Sequence, residues 1–442
     1  MTVCVVGSGG REHALALALA RSDDVVVTPG NPGMAGTCAE RHPVRVTAAP
    51  PEEIEASLVV IGPEAPLVDG LADRLRAAGR PVVGPGADGA RLEGSKAFMK
   101  EVLVAAGVPT ARHGVFTSAG EATAFLRSLP GPPWVVKTDG LAAGKGVLVA
   151  GSLEEAEADV VAKLGGAFGD AGRRVVVEEG LSGPECSLLV LCDGRDVVPL
   201  APAQDFKRVG DGDAGPNTGG MGAYSPVPGV DASVVDRIMA EAVEPVVAEL
   251  RRRGIDYRGV LYAGLMLTAE GPKVLEYNIR FGDPEAQVVL PRCSGDVGAL
   301  LAAVAGGRLR SAGREARTVA GVGAGGAGTS ADAAVCVVLA TDGYPASPRS
   351  GDVIRGLGAD GQLADPVEGV TVLHAGTRAG VDGTGFVTAG GRVLDVVAVG
   401  PTLAEARRRA YEGAGRVSWD GVQYRRDIAR AAALGASAGA VP

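Results

Sequence analysis

The chain has 442 residues, of which 46% are hydrophobic, which suits two to four folded domains and excludes intrinsic disorder. A formal net charge of -9 with no basic cluster argues against a nucleic-acid partner, and no apolar stretch is long enough for a membrane span. The first strand starts without a charged leader, so no signal peptide is expected; six cysteines (4, 38, 186, 192, 293 and 336) with neither metal spacing nor a paired framework read as reduced thiols in the cytoplasm.

Thr2–Val6, Val25–Thr28 and Leu58–Ile61 are short apolar strands separated by helical or turn-rich segments, the alternation of a parallel α/β domain. The first strand runs into Gly7-Ser8-Gly9-Gly10-Arg11-Glu12-His13-Ala14, which opens a helix. Glycines before a helix N-terminus let backbone N–H groups approach a phosphate, and Arg11 adds charge. A dinucleotide fingerprint is the rival, but Glu12 holds its third glycine position, and the second strand ends in Pro29-Gly30-Asn31 with no acid for a ribose. A phosphosugar fits better. Its candidate contacts are Gly9, Gly10, Arg11 and Glu12, with Gly30, Asn31, Glu64 and Pro66 at matching strand ends.

Lys96 follows Gly94-Ser95 at an expected helix start. Trp134–Val149 reads as strand, glycine-rich loop, strand; Lys145 is followed by Gly146 rather than Ser or Thr, so it is not a Walker loop. A mobile hairpin of this kind covers nucleotide phosphates with backbone N–H groups. Gly140, Gly144, Lys145 and Gly146 are its candidates, Lys145 being either a phosphate contact or a solvated side chain. Lys137 lies within an apolar strand, where burial is costly unless an anion meets it. Val175–Val177 leads to Glu178, Glu179, Gly180 and Leu181, a strand edge whose backbone groups suit an adenine, and Glu185 suits ribose hydroxyls; singly, each acid is more often an ordinary surface residue.

Asp213–Pro226 is a third glycine-rich loop, with Asn217, Thr218, Gly219 and Gly220 as candidates, too varied in composition for a simple linker. Ser233–Arg253 reads as a helix, with Ser233 and Asp236 as a capping pair and Pro245 as a kink. In Glu276-Tyr277-Asn278-Ile279-Arg280-Phe281-Gly282-Asp283-Pro284-Glu285, Glu276 and Asn278 point to one face of a strand. A carboxylate and an amide oxygen at this spacing suit a hard cation such as Mg²⁺, and Arg280 continues the face with a fork for phosphate or carboxylate. Ala312–Ala331 reads as a linker. Strands Ala334–Leu339, Val370–Leu373 and Val393–Val399 and a helix capped by Thr402 with Glu405 then make a small α+β domain, with His374 as a satisfied interior histidine.

Together GSGGREHA, PGNPG, IGPEAPL, LEGSKAFMK, KTDGLAAGKGV, QDFKRVGDGDAGPNTGGMGAYSP, LYAGLM, EYNIRFGDPE, HAGT and GGRVL resemble the phosphoribosylamine–glycine ligase family of the ATP-grasp superfamily, over nearly the whole chain. The resemblance implies an α/β and α+β multidomain chain. It would hold an N-terminal parallel α/β (pre-ATP-grasp) domain (1–100), an ATP-grasp lid (101–190) and central subdomain (191–312), a linker (313–331) and a small C-terminal α+β domain (332–442). It implies ATP-dependent joining of glycine to 5-phosphoribosylamine through glycyl phosphate, an early step of purine biosynthesis, in a cytoplasmic monomer. Lys96, Lys137 and Lys145 would face the ATP phosphates, Glu178–Leu181 the adenine and Glu185 the ribose. Glu276 and Asn278 would hold Mg²⁺ or Mn²⁺, and Arg280, Asp283 and Asp213 would shape the glycine and acyl-phosphate site. Three positions depart from the family pattern: Phe206 stands where His is usual, Gly180 replaces a bulky residue and Pro184 a glutamate. The rival readings are a carboxylating ATP-grasp enzyme and a non-catalytic ATP-binding module.

Overall fold

Valine-rich strands separated by helices build the first unit. In the computed structural model, which describes residues 1–35, 42–141, 146–311, 332–380, 383 and 385–435, they are β1 (Thr2–Gly7), β2 (Asp24–Pro29), β3 (Val44–Val46), β4 (Leu58–Ile61) and β5 (Val82–Val83). They form a parallel sheet in the order β3-β2-β1-β4-β5. β1 and β4 are buried on both faces, as a parallel sheet requires. Their carboxyl ends carry the three loops singled out from sequence, the edge at which open α/β sheets bind ligands.

A helix, Lys96–Ala106, leaves this unit. Ser95 caps it by accepting from the Phe98 N–H at 3.1 Å, and Gly107, in the left-handed region at φ 68°, ends it. β6 (His113–Phe116), β7 (Trp134–Thr138), β8 (Val147–Ala150) and β9 (Val175–Glu179) then form a small antiparallel sheet in the order β6-β9-β7-β8. Val136, Val175 and Val177 pack with Leu126 and Val160 in a core of their own. The expected strand–loop–strand is β7 paired with β8.

β10 (Glu185–Asp193), β11 (Val197–Pro199), β16 (Arg258–Thr268) and β17 (Gly271–Asn278) make the larger antiparallel sheet, in the order β11-β10-β16-β17. β10 pairs with β16 along its whole length, so the small-sheet unit closes at Glu179, short of the expected 190. The two faces of this sheet share cores with the two faces of the parallel sheet: Leu189 and Val260 lie with Val3 and Val5, and Leu188 and Val190 with Cys4 and Val59.

Between β11 and β16 the chain makes an excursion. β12 (Gln204–Asp205) and β15 (Gly222–Ser225) flank a hairpin of β13 (Arg208–Gly210) and β14 (Ala214–Asn217). β12 and β15 extend the C-terminal sheet, whose order is β12-β15-β18-β23-β20, with β18 (Ala333–Ala340), β20 (Val370–His374) and β23 (Arg392–Gly400). β19 (Val353–Ile354), β21 (Thr377–Ala379) and β22 (Phe386–Thr388) form a separate small sheet. The expected central unit therefore lends two strands to the domain that follows it.

The helix after the excursion begins at Ala232, and its cap is Asp231, whose carboxylate accepts from the Ser233 and Val234 N–H groups at 2.9 and 3.1 Å. This corrects the Ser233–Asp236 pair: Asp231 lies one residue before the first turn, where an acceptor reaches the free N–H groups. The helix gives way to a π turn at Met239–Val243 and restarts at Glu244, with Pro245 in its first turn, as the kink required. Thr402 caps Leu403–Ala414 as expected, accepting from the Glu405 N–H at 3.2 Å. The linker expected at 313–331 lies outside the described residues. Cys4, Cys186, Cys192, Cys293 and Cys336 are free and buried; Cys38 is outside the described residues. No helix among the described residues is long and apolar enough to cross a membrane.

His374 is an interior histidine with both ring nitrogens engaged. Gly361 O accepts from Nε2 (2.9 Å), so Nε2 carries the proton and Nδ1 accepts from the Thr377 hydroxyl at 3.0 Å. Its backbone N–H donates to His13 Nδ1 at 2.8 Å, joining the C-terminal domain to the first helix. Burial lowers the pKa of His13 to about 3 and of His374 to about 4, so both are neutral in the fold. An unfolded histidine binds protons below about pH 6.5, so stability is whole above that value and falls as pH drops toward 4, by about 1.4 kcal/mol per pH unit for each ring. Urea unfolding at a series of pH values should show this loss, and His374→Gln should roughly halve its slope.

Candidate functional site

β17 carries the centre of the site. Its pairing shifts between Leu265↔Val274 and Gly264↔Glu276, leaving Leu275 as a bulge that resets the alternation. Val274, Tyr277 and Ile279 are consequently buried, whereas Glu276, Asn278 and Arg280 share the other, half-buried face. Gly264, opposite Glu276, leaves room for it: a Cβ there would lie 3.1 Å from Glu276 Cγ. The ammonium of Lys207 stands 3.5 Å from both Glu276 and Glu185. Lys207 first, aided by Lys96 and Lys137, overcomes burial and holds the Glu276 carboxyl down to about 2. Beside them Glu285 is buried and accepts from the Tyr262 hydroxyl at 2.6 Å and the Ser187 hydroxyl at 3.2 Å. Burial, reinforced by Glu285, Glu185 and Glu276 against Lys207, pushes Asp205 up to about 8.

The oxygen donors of Glu276 and Asn278, one of them a firmly ionised carboxylate, fit a hard divalent cation. Among the described residues no group of three or more His, Cys, Asp or Glu could enclose a metal. An ion held by this pair would therefore keep coordination positions for phosphate oxygens and water.

On the small sheet, the anion that meets buried Lys137 is Glu178. Its carboxylate lies 3.0 Å from Lys137 and 3.0 Å from Lys100, and Lys137 also donates to the Leu275 carbonyl at 3.0 Å. Burial opposes the charge on Glu178, but the two lysines hold it below its ordinary range. The Glu178 side chain therefore turns inward. This corrects its place in the adenine set, and beside it the Glu179 N–H donates to the Arg112 carbonyl at 3.0 Å. Glu179 accepts from the Arg112 N–H at 2.9 Å, and the Gly180 N–H donates to the Pro133 carbonyl at 2.8 Å. A Cβ on Gly180 would collide with that carbonyl and the Pro133 ring. Gly140 packs against Ala171, and Gly146 O accepts from the Thr138 N–H at 2.9 Å, closing the base of the hairpin. Gly144 and Lys145 lie outside the described residues. Lys96, at the first turn of its helix, is half-buried and near enough to Glu276 to act on its charge.

In the parallel-sheet loops, Glu12 fills the space that a fingerprint glycine would leave. It lies against Gly7 and Gly62, where any Cβ would collide with it, and accepts from the Gly9 N–H at 2.7 Å and Arg11 Nε at 2.5 Å. That gives the Gly9 amide an internal partner. Gly10 lies under Asp395 of the C-terminal domain, whose carboxylate would overlap a Cβ. Gly30 takes φ 62° against Val46, and Asn31 Nδ2 donates to the carbonyls of Ser8 (2.8 Å) and His374 (2.9 Å). Glu64 and Pro66 sit in the short helix Glu64–Val68.

Arg280 reaches these loops, but its fork has other partners than a substrate: Glu64 at 3.2 Å, Glu93 at 3.0 Å and the Phe281 carbonyl at 3.1 Å. Arg11 donates to the same carbonyl at 3.4 Å. Asp283 accepts from Arg392 at 2.8 Å and from Gln287 at 2.7 Å; Gln287 also donates to Asp395 at 2.9 Å. Asp213 does not join them. It is exposed at the tip of the β13–β14 hairpin with φ 54°, which Asp tolerates, and its carboxylate pairs with Arg425 at 2.7 Å. Arg425 also lies 4.7 Å above the Phe206 ring, so Phe206 serves the packing of the C-terminal domain. Asn217 ends β14 opposite Arg208, and Thr218, Gly219 and Gly220 lie between it and β15.

Sequence reasoning left Lys100, Glu93, Lys207 and Arg392 unassigned. Lys100 stands one helical turn after Lys96, and Arg392 belongs to the GGRVL motif, but nothing in either spacing names a partner.

Three family models match the chain: the phosphoribosylglycinamide synthetase N domain over residues 1–93, its ATP-grasp (A) domain over 94–286 and its C domain over 334–431. A phosphoribosylamine–glycine ligase of Streptomyces coelicolor is 50% identical over 441 residues, covering 98% of this chain and 100% of that protein. One from Mycobacterium leprae is 48% identical over 448 residues, covering 98% and 99%. The crystal structure of a phosphoribosylamine–glycine ligase from Thermotoga maritima superposes with a TM-score of 0.78 at 35% identity, covering 97% of this chain and all (100%) of that one. The biotin carboxylase domain of Hydrogenobacter thermophilus 2-oxoglutarate carboxylase, a complex with MgADP and bicarbonate, gives a TM-score of 0.66 at 17% identity, over 96% of this chain and 91% of that one, a likeness of fold alone.

Gly180→Ala tests the close approach of Gly180 to Pro133. The added methyl must displace Pro133, and overpacking of this kind costs about 1–3 kcal/mol. Urea unfolding of the small-sheet unit should report the loss, and unchanged stability would show that Pro133 yields freely.

Proposed function

The chain belongs to the phosphoribosylglycinamide synthetase family, and on that premise we propose that it joins glycine to 5-phosphoribosylamine with cleavage of ATP to ADP and phosphate. The observation that carries this reading is the union of two half-sites. The oxygen pair Glu276–Asn278 on β17 continues through Arg280 and Phe281 into the loops of Glu64 and Arg11 at the carboxyl edge of the parallel sheet. A phosphosugar amine on those loops would lie beside an acyl group activated at the strand.

A glycine carboxylate is a poor electrophile because it is anionic and has no good leaving group. Transfer of the ATP γ-phosphoryl to one carboxylate oxygen releases ADP and forms glycyl phosphate. The amine of phosphoribosylamine then attacks the acyl carbon, the C–O bond to phosphate breaks, and the amine loses a proton as the amide forms. Lys96, Lys137 and Lys207 are the chain's cations toward the charge spread over the transferring group. Glu276 and Asn278 would hold Mg²⁺ or Mn²⁺, which when bound supplies further positive charge to the phosphate oxygens. Glu179, Gly180 and Leu181 would line the adenine and Glu185 the ribose. Gly10, Arg11, Asn31 and Asn217–Gly220 surround the place for the phosphosugar. Asp283 faces the glycine ammonium in this reading, keeping that amine protonated so that it does not compete as a nucleophile. The small sheet, with its separate core, acts as a lid that keeps water from the acyl phosphate. The chain works as a cytoplasmic monomer and takes small-molecule substrates only.

ADP release should need ATP, glycine and freshly made phosphoribosylamine together, and should stop when any one is omitted. Glu276→Ala should lower kcat about a hundredfold, the scale of a lost transition-state electrostatic contact. Near-normal turnover at saturating Mg²⁺ would remove Glu276 from the metal site.

A further inference from the structure

Arg392, at the head of β23, belongs to no loop assigned to a substrate, yet its guanidinium binds two of them. Nη1 donates to the carbonyls of Gly219 (2.8 Å), Gly220 (3.3 Å) and Asp283 (2.9 Å), and Nη2 donates to Asp283 Oδ2 (2.8 Å). Tyr344, from the same domain, holds the preceding peptide by accepting from the Gly219 N–H at 3.1 Å. The two glycines are shaped to this grip. A Cβ on Gly219 would lie 3.1 Å from Arg392 Cζ, and one on Gly220, at φ 114°, would collide with Pro284.

The hydrogen bonds continue inward from Gly219. The Gly220 N–H donates to Thr218 Oγ1 at 3.0 Å, and Thr218 in turn donates to the Lys207 carbonyl twice, from its N–H at 2.7 Å and its hydroxyl at 2.9 Å. The Met221 N–H donates to the Phe206 carbonyl at 2.8 Å. The loop is thus laced to the backbone of the residue whose ammonium stands 3.5 Å from Glu276 and from Glu185.

We propose that Arg392 and Tyr344 are positioning residues that fix the Asn217–Gly220 loop and, through Thr218, the backbone of Lys207, so that the C-terminal domain sets where the Lys207 ammonium meets Glu276. The inference rests on the ligase reading of this site and deepens it: the C-terminal domain becomes part of the catalytic geometry. A lesser role for Arg392, as counter-ion to Asp283 alone, predicts something different. Tyr344→Phe leaves the Asp283 pair intact and removes only the contact to Gly219.

The full chain is tested as Arg392→Met, Arg392→Lys and Tyr344→Phe, with two readouts. In the ligand-free protein, amide hydrogen exchange at Thr218, Gly220 and Met221 should accelerate about tenfold or more in all three variants, with β10 and β16 unchanged. In steady state, kcat should fall about ten- to a hundredfold, the effect of a misplacement near 1 Å, while KM for ATP stays within about twofold. Arg392→Lys should share the loss, because an ammonium does not reproduce the fork. Wild-type exchange in this loop would overturn the proposal, as would a lowered unfolding midpoint with kcat unchanged. Wild-type behaviour of Tyr344→Phe beside impaired Arg392 variants would overturn it in favour of the counter-ion role. If Arg392→Met fails to fold, Tyr344→Phe decides alone. If the wild-type chain releases no ADP under the three-substrate conditions, the ligase reading fails, and the exchange data still decide whether the loop is held as proposed.

Discussion

A strand end that carries charges of both signs into the junction of several sheets has to find neutralising partners there, since an unpaired charge out of water is costly. Residues 276–285 impose this condition. Glu276 is met by Lys207 from the excursion, Arg280 by Glu64 and Glu93 from the parallel-sheet unit, and Asp283 by Arg392 from the C-terminal domain. Each pairing ties a different part of the chain to one short segment. The domains are therefore held in register at the candidate site by these charge pairs, and the apolar cores on either face of the sheet supply the bulk of the adhesion.

The glycines of the motifs have a second reading once these partners are known. Gly7 and Gly62 make space for Glu12, Gly10 for Asp395, Gly219 for Arg392 and Gly220 for Pro284. A glycine-rich loop beside a helix is usually taken as a seat for phosphate. Here part of the glycine content admits protein side chains against the backbone, and the loops are stiffened by what presses on them. Gly180 and Phe206 follow the same logic, the first yielding to Pro133 and the second stacking under Arg425.

Much of this was legible in the residues alone. Strand alternation located β1, β2, β4, β18, β20 and β23 to within a residue or two, and the i,i+2 pair on β17 was visible because polar side chains interrupt an apolar run. What could not be read was the identity of partners. Lys137 signalled that an anion must meet it, but the sequence offers no way to choose between a nucleotide phosphate and Glu178, more than forty residues on. Arg280 and Asp213 advertised charge in the right motifs, yet long-range packing decided that one is gripped by Glu64 and Glu93 and the other leans on Arg425. The bulge at Leu275, which puts Tyr277 in the core and Glu276 on the site face, depends on pairing with β16.

The excursion has a bearing on how the molecule is made. β15, an inner strand of the C-terminal sheet beside β18, is encoded ahead of β16 and β17. On the ribosome it emerges long before β18, with only the two-residue β12 to pair with, while the strands that precede and follow the excursion close the central sheet. The tail domain is therefore completed around a ribbon that the preceding domain has already presented, and an isolated fragment beginning at Ala333 would leave the Gly222–Ser225 side of β18 as a bare, wholly apolar edge. Severing the chain between the two domains would yield one piece with an unclaimed ribbon and another prone to self-association.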